Sequence, residues 1–129
     1  MKKVINSENA PKAIGPYSQA VSVGEMLFLS GQIPIDPVSN SIPSDIESQT
    51  VCVLENIKAI LKGTKFTLDD IVKTTVFLTD LSNFSVMNEI YAKFFCAPFP
   101  ARSTVEVSAL PRGVLVEIEC IAVRKIIRR

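Results

Sequence analysis

The segment from residue 45 to residue 62 constrains the fold most, because its apolar residues recur at helical spacing. Ser44 or Asp45 can cap the start of this predicted helix, and Gly63 is expected as the C′ residue after Lys62. An apolar stripe of this kind buries one face of a helix, so the chain must supply a surface that covers it. The stripe consists of Ile46, Val53, Leu54, Ile57, Ile60 and Leu61.

A second helix of the same type is predicted at residues 84–95. Ser82 or Asn83 can open it, and Pro98 with Pro100 ends it. Between the two helices, residues 71–79 are rich in β-branched side chains and predict a strand. The stripe of the second helix consists of Phe84, Met87, Ile90, Tyr91, Phe94 and Phe95.

The rest of the chain predicts short strands joined by turns. Gly24-Glu25 fits a two-residue hairpin turn, and Thr67 followed by Asp70 is a capping signal for a short helical turn. Residues 10–17 and 33–43 are rich in proline and are expected to be loops. The order β-β-β-α-β-α-β-β predicts one α+β domain over residues 1–129, with both helices on one face of a single sheet. The strands are expected at residues 2–6, 19–23, 26–30, 71–79, 101–107 and 114–123.

The composition excludes several classes of function. The 129 residues include no histidine, which removes Ser-His-Asp and Cys-His catalysis and every His-ligated metal site. The five glycines match neither a GxGxxG nor a P-loop spacing. The net charge of +1 does not favour a nucleic-acid partner. No apolar run approaches the ~20 residues that span a bilayer, and the three cysteines are widely spaced. We therefore expect a cytoplasmic protein with reduced thiols and no membrane partner.

Strand alternation assigns faces to two charged residues. In residues 101–107 the odd positions are small or apolar and are expected to face the helices, so that Arg102 and Thr104 face away. In residues 114–123 the even positions form the cleaner apolar face and are expected to face the helices. Glu117 is therefore expected, like Arg102, on the sheet face away from the helices, which we call the open face.

The open face also carries Leu115, Ile121 and Val123. An apolar second face usually marks a partner surface, so we infer a homo-oligomer with Arg102 and Glu117 near the contact. The residues alone leave two interpretations of these charges open. They either form a structural ion pair, within or between subunits, or they belong to a functional site.

Separated stretches along nearly the whole chain resemble the RidA family, also called YjgF. They include Ser-Gly-Gln-Ile-Pro at residues 30–34, Pro-Ala-Arg-Ser-Thr-Val-Glu-Val at 100–107 and Val-Glu-Ile-Glu at 116–119. Residues 10–11, 13–17, 70–77 and 88–95 also match. The resemblance implies a chorismate-mutase-like α+β fold and a homotrimer whose sheets line a central barrel, with sites between subunits. It also implies hydrolysis of 2-imino and 2-enamino acids to 2-oxo acids and ammonia, with neither pyridoxal phosphate nor a metal.

The resemblance assigns Arg102 to the substrate carboxylate, which a guanidinium fork binds in a bidentate manner. Glu117 is the matching position for a carboxylate that orients or deprotonates water, or that handles the proton of the leaving ammonia. The binding residues implied are Tyr17, Ser30, Gly31, Asn88 and Thr104, together with Arg102. Simpler roles are open for three positions. Tyr17 would pack on a neighbouring subunit, Ser30-Gly31 would turn the chain, and Asn88 would be an exposed helix residue.

Two departures from the family pattern affect this expectation. Thr104 stands where relatives often have cysteine, which removes thiol chemistry there. The segment between Phe95 and Pro100 is shorter than in some relatives, which changes the rim of the site.

Two other functions are considered, a non-catalytic sensor or carrier of small 2-oxo acids and an RNA-directed or chaperone-like role. The near-neutral charge argues against RNA.

Overall fold

The computed structural model describes residues 1–124, and the basic residues within 125–129 lie outside the described part. The strands are β1 (Lys3–Ile5), β2 (Ala20–Val23), β3 (Met26–Gln32), β4 (Ile71–Leu78), β5 (Ala101–Glu106) and β6 (Val116–Val123). The helices are α1 (Ile46–Lys62) and α2 (Phe84–Phe94), and short 3₁₀ turns lie at Leu68–Asp70, Leu81–Asn83 and Pro111–Gly113. The predicted order of helices and strands is confirmed.

The six strands form one mixed sheet in the order β1-β2-β3-β6-β4-β5. Neighbouring strands are antiparallel except β4 and β5, which are parallel because α2 connects them as a crossover. Helix α1 packs against α2, β3 and β6. The α+β class with both helices on one sheet face is therefore confirmed, and β5 lies at one edge of that sheet.

The core lies between the helices and the sheet face that they cover. Val53, Leu54, Ile57 and Ile60 of α1 are fully buried, as their spacing predicts. The even positions of β6 point into the same core, and Cys120 packs there as a small apolar residue. Burial raises the pKa of its thiol to about 12. Cys52 and Cys96 are also free thiols.

The ends of α1 follow from local hydrogen bonds. Of the two expected caps, Asp45 is the one used, and its carboxylate accepts from the Ser48 N–H at 2.7 Å. Gly63 ends the helix as the C-cap itself, with φ −81°, and not as a left-handed C′ residue. The reason is that the Thr64 N–H and hydroxyl both donate to the Leu61 carbonyl, at 2.8 and 2.7 Å, so no positive φ is needed.

The predicted orientation of β5 is wrong. In the parallel register Arg102 lies beside Thr74, and the Thr74 hydroxyl is hydrogen-bonded to the Tyr91 hydroxyl of α2 at 2.7 Å. Arg102 and, by alternation, Thr104 therefore face the helices, while Ala101, Ser103 and Val105 face away. The prediction failed because β5 has small and polar residues on both faces, so its hydrophobic pattern does not define which face is buried. The orientation of β5 is set by its register with β4 and by the polar partners on α2.

The sheet face opposite the helices carries apolar side chains that are partly exposed in the single chain. Phe28 lies opposite Ile121 on this open face, and Met26 lies opposite Val123. The apolar character of the open face agrees with the expectation from the sequence. The homo-oligomer that it suggests and the homotrimer that the resemblance implies stay predictions. Within residues 1–124, neither helix combines the length and the hydropathy that crossing a membrane requires.

Candidate functional site

Arg102 is the centre of one polar cluster, held between β5 and α2. Its Nη1 donates to the Asn88 Oδ1 at 2.8 Å. Its guanidinium carbon lies 4.8 Å from the centroid of the Tyr91 ring and 5.4 Å from that of Phe84, within range of cation–π attraction to both. We call Phe84, Asn88, Tyr91, Arg102 and Thr104 the α2–β5 cluster.

The guanidinium is fixed but not saturated. An arginine side chain carries five N–H donors, and Asn88 is its one hydrogen-bond acceptor among the described residues. Within residues 1–124 no carboxylate lies within 4 Å of it. The side chain therefore presents a positioned cation with donors left over, which suits a carboxylate-bearing ligand. Asn88 is solvent-exposed, as the simpler interpretation has it, yet its amide also orients Arg102.

Thr104 follows Arg102 by two residues on the same face of β5. Its Oγ1 is buried and has no hydrogen-bond partner in the part of the chain that the structure describes. A buried hydroxyl without a partner costs roughly 1–3 kcal/mol, so an additional polar group beside it would be favourable. The structure thus places a second potential contact next to the arginine.

Glu117 lies elsewhere, on the open face of β6, and packs against Gly31 of β3. A β-carbon added at Gly31 would overlap the Glu117 carboxylate and would lie 2.8 Å from its Cδ. Gly31 falls where the β3–β6 register shifts between Leu29 and Gln32. It therefore serves a close approach within a strand and not a turn of the chain, which rejects the simpler role for this residue.

The surroundings of Glu117 favour its neutral form. Burial raises the pKa of its carboxyl, and the nearby negative charge of Glu119 raises it further. A carboxyl shifted in this direction exchanges protons closer to neutral pH than an ordinary glutamate does. The side chain is therefore suited to taking up and releasing a proton.

Ser30 and Tyr17 lie beside Gly31. The Ser30 hydroxyl donates to the Ser18 carbonyl at 2.5 Å, and its N–H donates to the Gln19 carbonyl at 2.9 Å. These bonds tie β3 to the loop that carries Tyr17, whose side chain is exposed. We call Tyr17, Ser30, Gly31 and Glu117 the β3–β6 cluster. Packing of Tyr17 against a neighbouring subunit stays open.

The expected meeting of Arg102 and Glu117 on one face does not occur within a single chain. Glu117 lies opposite Phe77 of β4 on the open face, whereas Arg102 faces α2. Strand β4 separates β6 from β5, so their backbones are about 10 Å apart at ~4.8 Å per strand. An ion pair between these two residues within one copy is therefore excluded. A contact between copies remains open.

Two members of the α2–β5 cluster were assigned to the core by sequence analysis alone. Phe84 and Tyr91 do pack in the stripe of α2, but they also flank the guanidinium. The signal was present, because positions 84, 88 and 91 share one helix face. The orientation of β5, which the sequence does not define, was needed to interpret it.

Among residues 1–124, no three Cys, Asp or Glu side chains are grouped closely enough to hold a metal ion.

The fold and these clusters define an α+β protein with one mixed sheet, two helices on one face and two separated groups of polar side chains. The sequence model of the endoribonuclease L-PSP family matches residues 7–124. The chain therefore belongs to this family, which is also called the YjgF or RidA family.

Relatives of known sequence and structure agree with this assignment. The chain is 56% identical to a RutC family protein of Pyrococcus horikoshii, over 97% of this chain and 100% of the relative. It is 50% identical to a protein of Escherichia coli named "Putative reactive intermediate deaminase TdcF", over 96% and 98%. The crystal structure of E. coli TdcF with bound serine matches with a TM-score of 0.92 at 48% identity, covering 95% of this chain and 99% of that one.

Proposed function

We propose that this protein hydrolyses 2-imino acids such as 2-iminobutanoate and 2-iminopropanoate to the 2-oxo acids and ammonia. The observation that carries the proposal is the immobilised Arg102 guanidinium, whose remaining donors are free to receive the carboxylate that every such substrate has. The name of the E. coli relative and the serine bound to its crystal structure support a carboxylate-bearing amino-acid derivative as the ligand.

We infer further that the reactive site forms between two copies of the chain. Arg102 and Glu117 lie on opposite faces of one sheet, so a substrate that touches both needs one residue from each of two copies. The partly exposed apolar side chains on the open face supply a surface on which a second copy can pack. A ring of three copies would give three equivalent sites, each with the α2–β5 cluster of one copy facing the β3–β6 cluster of the next.

The proposed reaction consumes only the imine and water. Arg102 holds the carboxylate, and the imine carbon lies toward Glu117. Water adds to that carbon, forming a C–O bond as the C=N bond becomes single, and the Glu117 carboxylate takes the proton that water loses. Glu117 delivers this proton to the nitrogen, which gives a carbinolamine with one hydroxyl and one amino group. Glu117 then takes the hydroxyl proton and passes it to the amino nitrogen, the C=O bond forms as the C–N bond breaks, and ammonia leaves the 2-oxo acid. The raised pKa of Glu117 suits a group that accepts and returns a proton in each of these two steps.

The remaining residues are assigned supporting contacts. The Thr104 hydroxyl and the Asn88 amide lie beside the carboxylate position, and Asn88 also orients Arg102. Ser30 and Gly31 shape the wall on which Glu117 rests. Tyr17 supplies an aromatic wall and a hydroxyl at the mouth.

The proposal is tested by a coupled assay in which a threonine dehydratase produces 2-iminobutanoate and semicarbazide competes for it. Wild-type protein should speed the loss of imine. Arg102→Ala should lower this rate by about a hundredfold or more, because two charge-assisted hydrogen bonds are lost. Size-exclusion chromatography must show the same oligomer for both proteins. If the folded, oligomeric wild type does not accelerate imine loss, the deaminase proposal is wrong.

One alternative shares the same arginine. A carrier or sensor of small 2-oxo acids would need the α2–β5 cluster for binding and no proton transfer by Glu117. The serine-bound relative is compatible with binding alone. Calorimetric binding of 2-oxobutanoate without any turnover of imine would favour the carrier.

A further inference from the structure

A cavity of about 670 Å³ adjoins the β3–β6 cluster, with Tyr17 and Gly31 in its lining. Its volume falls within the range of about 300–1,000 Å³ that is typical of small-molecule sites. It is far larger than an ethyl or methyl side chain requires. The site therefore has room for a substrate whose side chain extends past Gly31.

The walls of this cavity are held in place by buried amides. Gln19 is 3% exposed, and its Nε2 donates to the carbonyls of Pro11 at 2.7 Å and Ala10 at 3.4 Å. Asn56 is also 3% exposed, and its Nδ2 donates to the carbonyls of Ile33 and Ile35 at 3.2 and 3.0 Å. Both loops are thus fixed by satisfied polar groups, which makes the cavity a preformed one.

The lining of the cavity also includes a cation on a hydrogen-bonded turn. Arg112 lines the cavity with φ 58° and ψ 19°, a left-handed conformation that is unfavourable for residues other than glycine, asparagine and aspartate. The turn is closed by hydrogen bonds from the Gly113 N–H to the Leu110 carbonyl and from the Leu115 N–H to the Gln49 amide. No carboxylate within residues 1–124 lies within 4 Å of Arg112.

Other charges at this cavity do not neutralise Arg112. Glu8 and Lys12 also line it and offset one another, so the lining has a net charge of +1. The lining also includes the apolar side chains of Ile14, Ile33 and Pro111. A cavity that combines these apolar side chains with a guanidinium that has no carboxylate partner among residues 1–124 fits methylene groups followed by an anion.

We propose that this cavity is a side-chain subsite for imino and oxo acids that carry a second carboxylate, with Arg112 as the residue that determines this specificity. The inference rests on the proposed function for the position of the first carboxylate at Arg102. The second carboxylate pairs with Arg112, and the methylene groups lie along the apolar lining.

The test measures binding and turnover separately. Calorimetry gives the affinities of 2-oxoglutarate and of 2-oxohexanoate, which has a comparable chain length but no second carboxylate. The wild type should prefer 2-oxoglutarate. Arg112→Asn tolerates the left-handed turn and removes the charge, so it should lower this preference about tenfold. Arg112→Lys should restore part of the preference. Lys93→Gln removes a cation from the exposed side of α2 and should leave the preference unchanged.

Two results overturn the inference. They are a wild type that prefers 2-oxohexanoate, and a preference for 2-oxoglutarate that Arg112→Asn leaves intact. Turnover of 2-iminobutanoate and 2-iminoglutarate by the same proteins separates this inference from the proposed function. If neither imine is hydrolysed while the binding preference still depends on Arg112, the deaminase proposal fails and the subsite stands.

Discussion

The two clusters hold a charged side chain in opposite ways. In the α2–β5 cluster, the guanidinium of Arg102 is held by attraction, with an amide on one side and two aromatic rings around it. In the β3–β6 cluster, the carboxylate of Glu117 occupies space that is free because residue 31 is glycine and has no β-carbon. The guanidinium is oriented by its neighbours, whereas burial raises the pKa of the Glu117 carboxyl and so favours its neutral form. The difference teaches that a binding group and a proton-transfer group need different surroundings.

Mixing two inactive variants tests most strongly whether the clusters act together. Arg102→Ala and Glu117→Gln should each be nearly inactive alone. If the chains are unfolded together and refolded as mixed rings, about a quarter of the interfaces should combine an intact arginine with an intact glutamate. Imine hydrolysis should then recover to about a quarter of the wild-type rate.

The control for this experiment is a mixture of the two variants that were assembled separately and not exchanged. It should stay inactive. If the exchanged mixture is equally inactive although native mass spectrometry shows mixed oligomers, the two-copy site is refuted.

A β-carbon at residue 31 should disturb the β3–β6 cluster alone. In Gly31→Ala the Glu117 carboxylate must move, because the new atom would occupy its place. We expect imine hydrolysis to fall by about ten- to a hundredfold, mainly in kcat, since misplacement of a reacting group by ~1 Å costs about a hundredfold.

Gly63→Ala is the matched control for this substitution. Gly63 has no positive φ, and an added β-carbon would make one ordinary contact, 3.9 Å from the Ile60 carbonyl oxygen. Its activity should equal that of the wild type. Equal activity of Gly31→Ala and Gly63→Ala would show that the position of Glu117 is unimportant.

The aromatic side of the α2–β5 cluster is tested by Phe84→Leu. Loss of one cation–π contact costs about 0.5–2 kcal/mol, so KM should rise several-fold while kcat changes little. Phe94→Leu removes a ring of similar burial that lies under Lys58 and not under Arg102. If both variants raise KM equally, the effect reflects packing of α2 and not the positioning of Arg102.

The smallest expected effect concerns stability as a function of pH. The folded protein raises the pKa of Glu117 above its ordinary value of 4.5, so the folded state binds this proton more tightly than the unfolded chain. The free energy of unfolding should therefore receive a contribution from Glu117 that falls as pH rises from 4.5 through the raised value. Glu117→Gln should flatten this decline in urea unfolding between pH 4 and 8.

Asp45→Asn serves as the opposite case. The Ser48 N–H lowers the pKa of Asp45 below 3.8, so its contribution is present above that value and is lost as pH falls. Asparagine caps a helix about as well as aspartate, so this variant should retain the decline that Glu117 causes. If the free energy of unfolding of Glu117→Gln still falls with rising pH as in the wild type, a group other than Glu117 causes the decline.

The sequence by itself determined the elements, their order and one face of the sheet. The stripes of α1 and α2 repeat at helical spacing, and β6 alternates cleanly, so burial alone decides which residues point inward. The resemblance also supplied the candidate residues of both clusters, except Phe84 and Tyr91. The structure divides them into two groups, and their roles stay predictions.

Only the tertiary structure decided the orientation of β5 and therefore the separation of Arg102 from Glu117. An edge strand with small and polar residues on both faces has no hydrophobic preference to fix it, so the register with β4 and the partners on α2 decide. The need for glycine at residue 31 was hidden for a similar reason. Close packing of a strand against a side chain 86 positions later is a property of the register shift between β3 and β6, which no local pattern encodes.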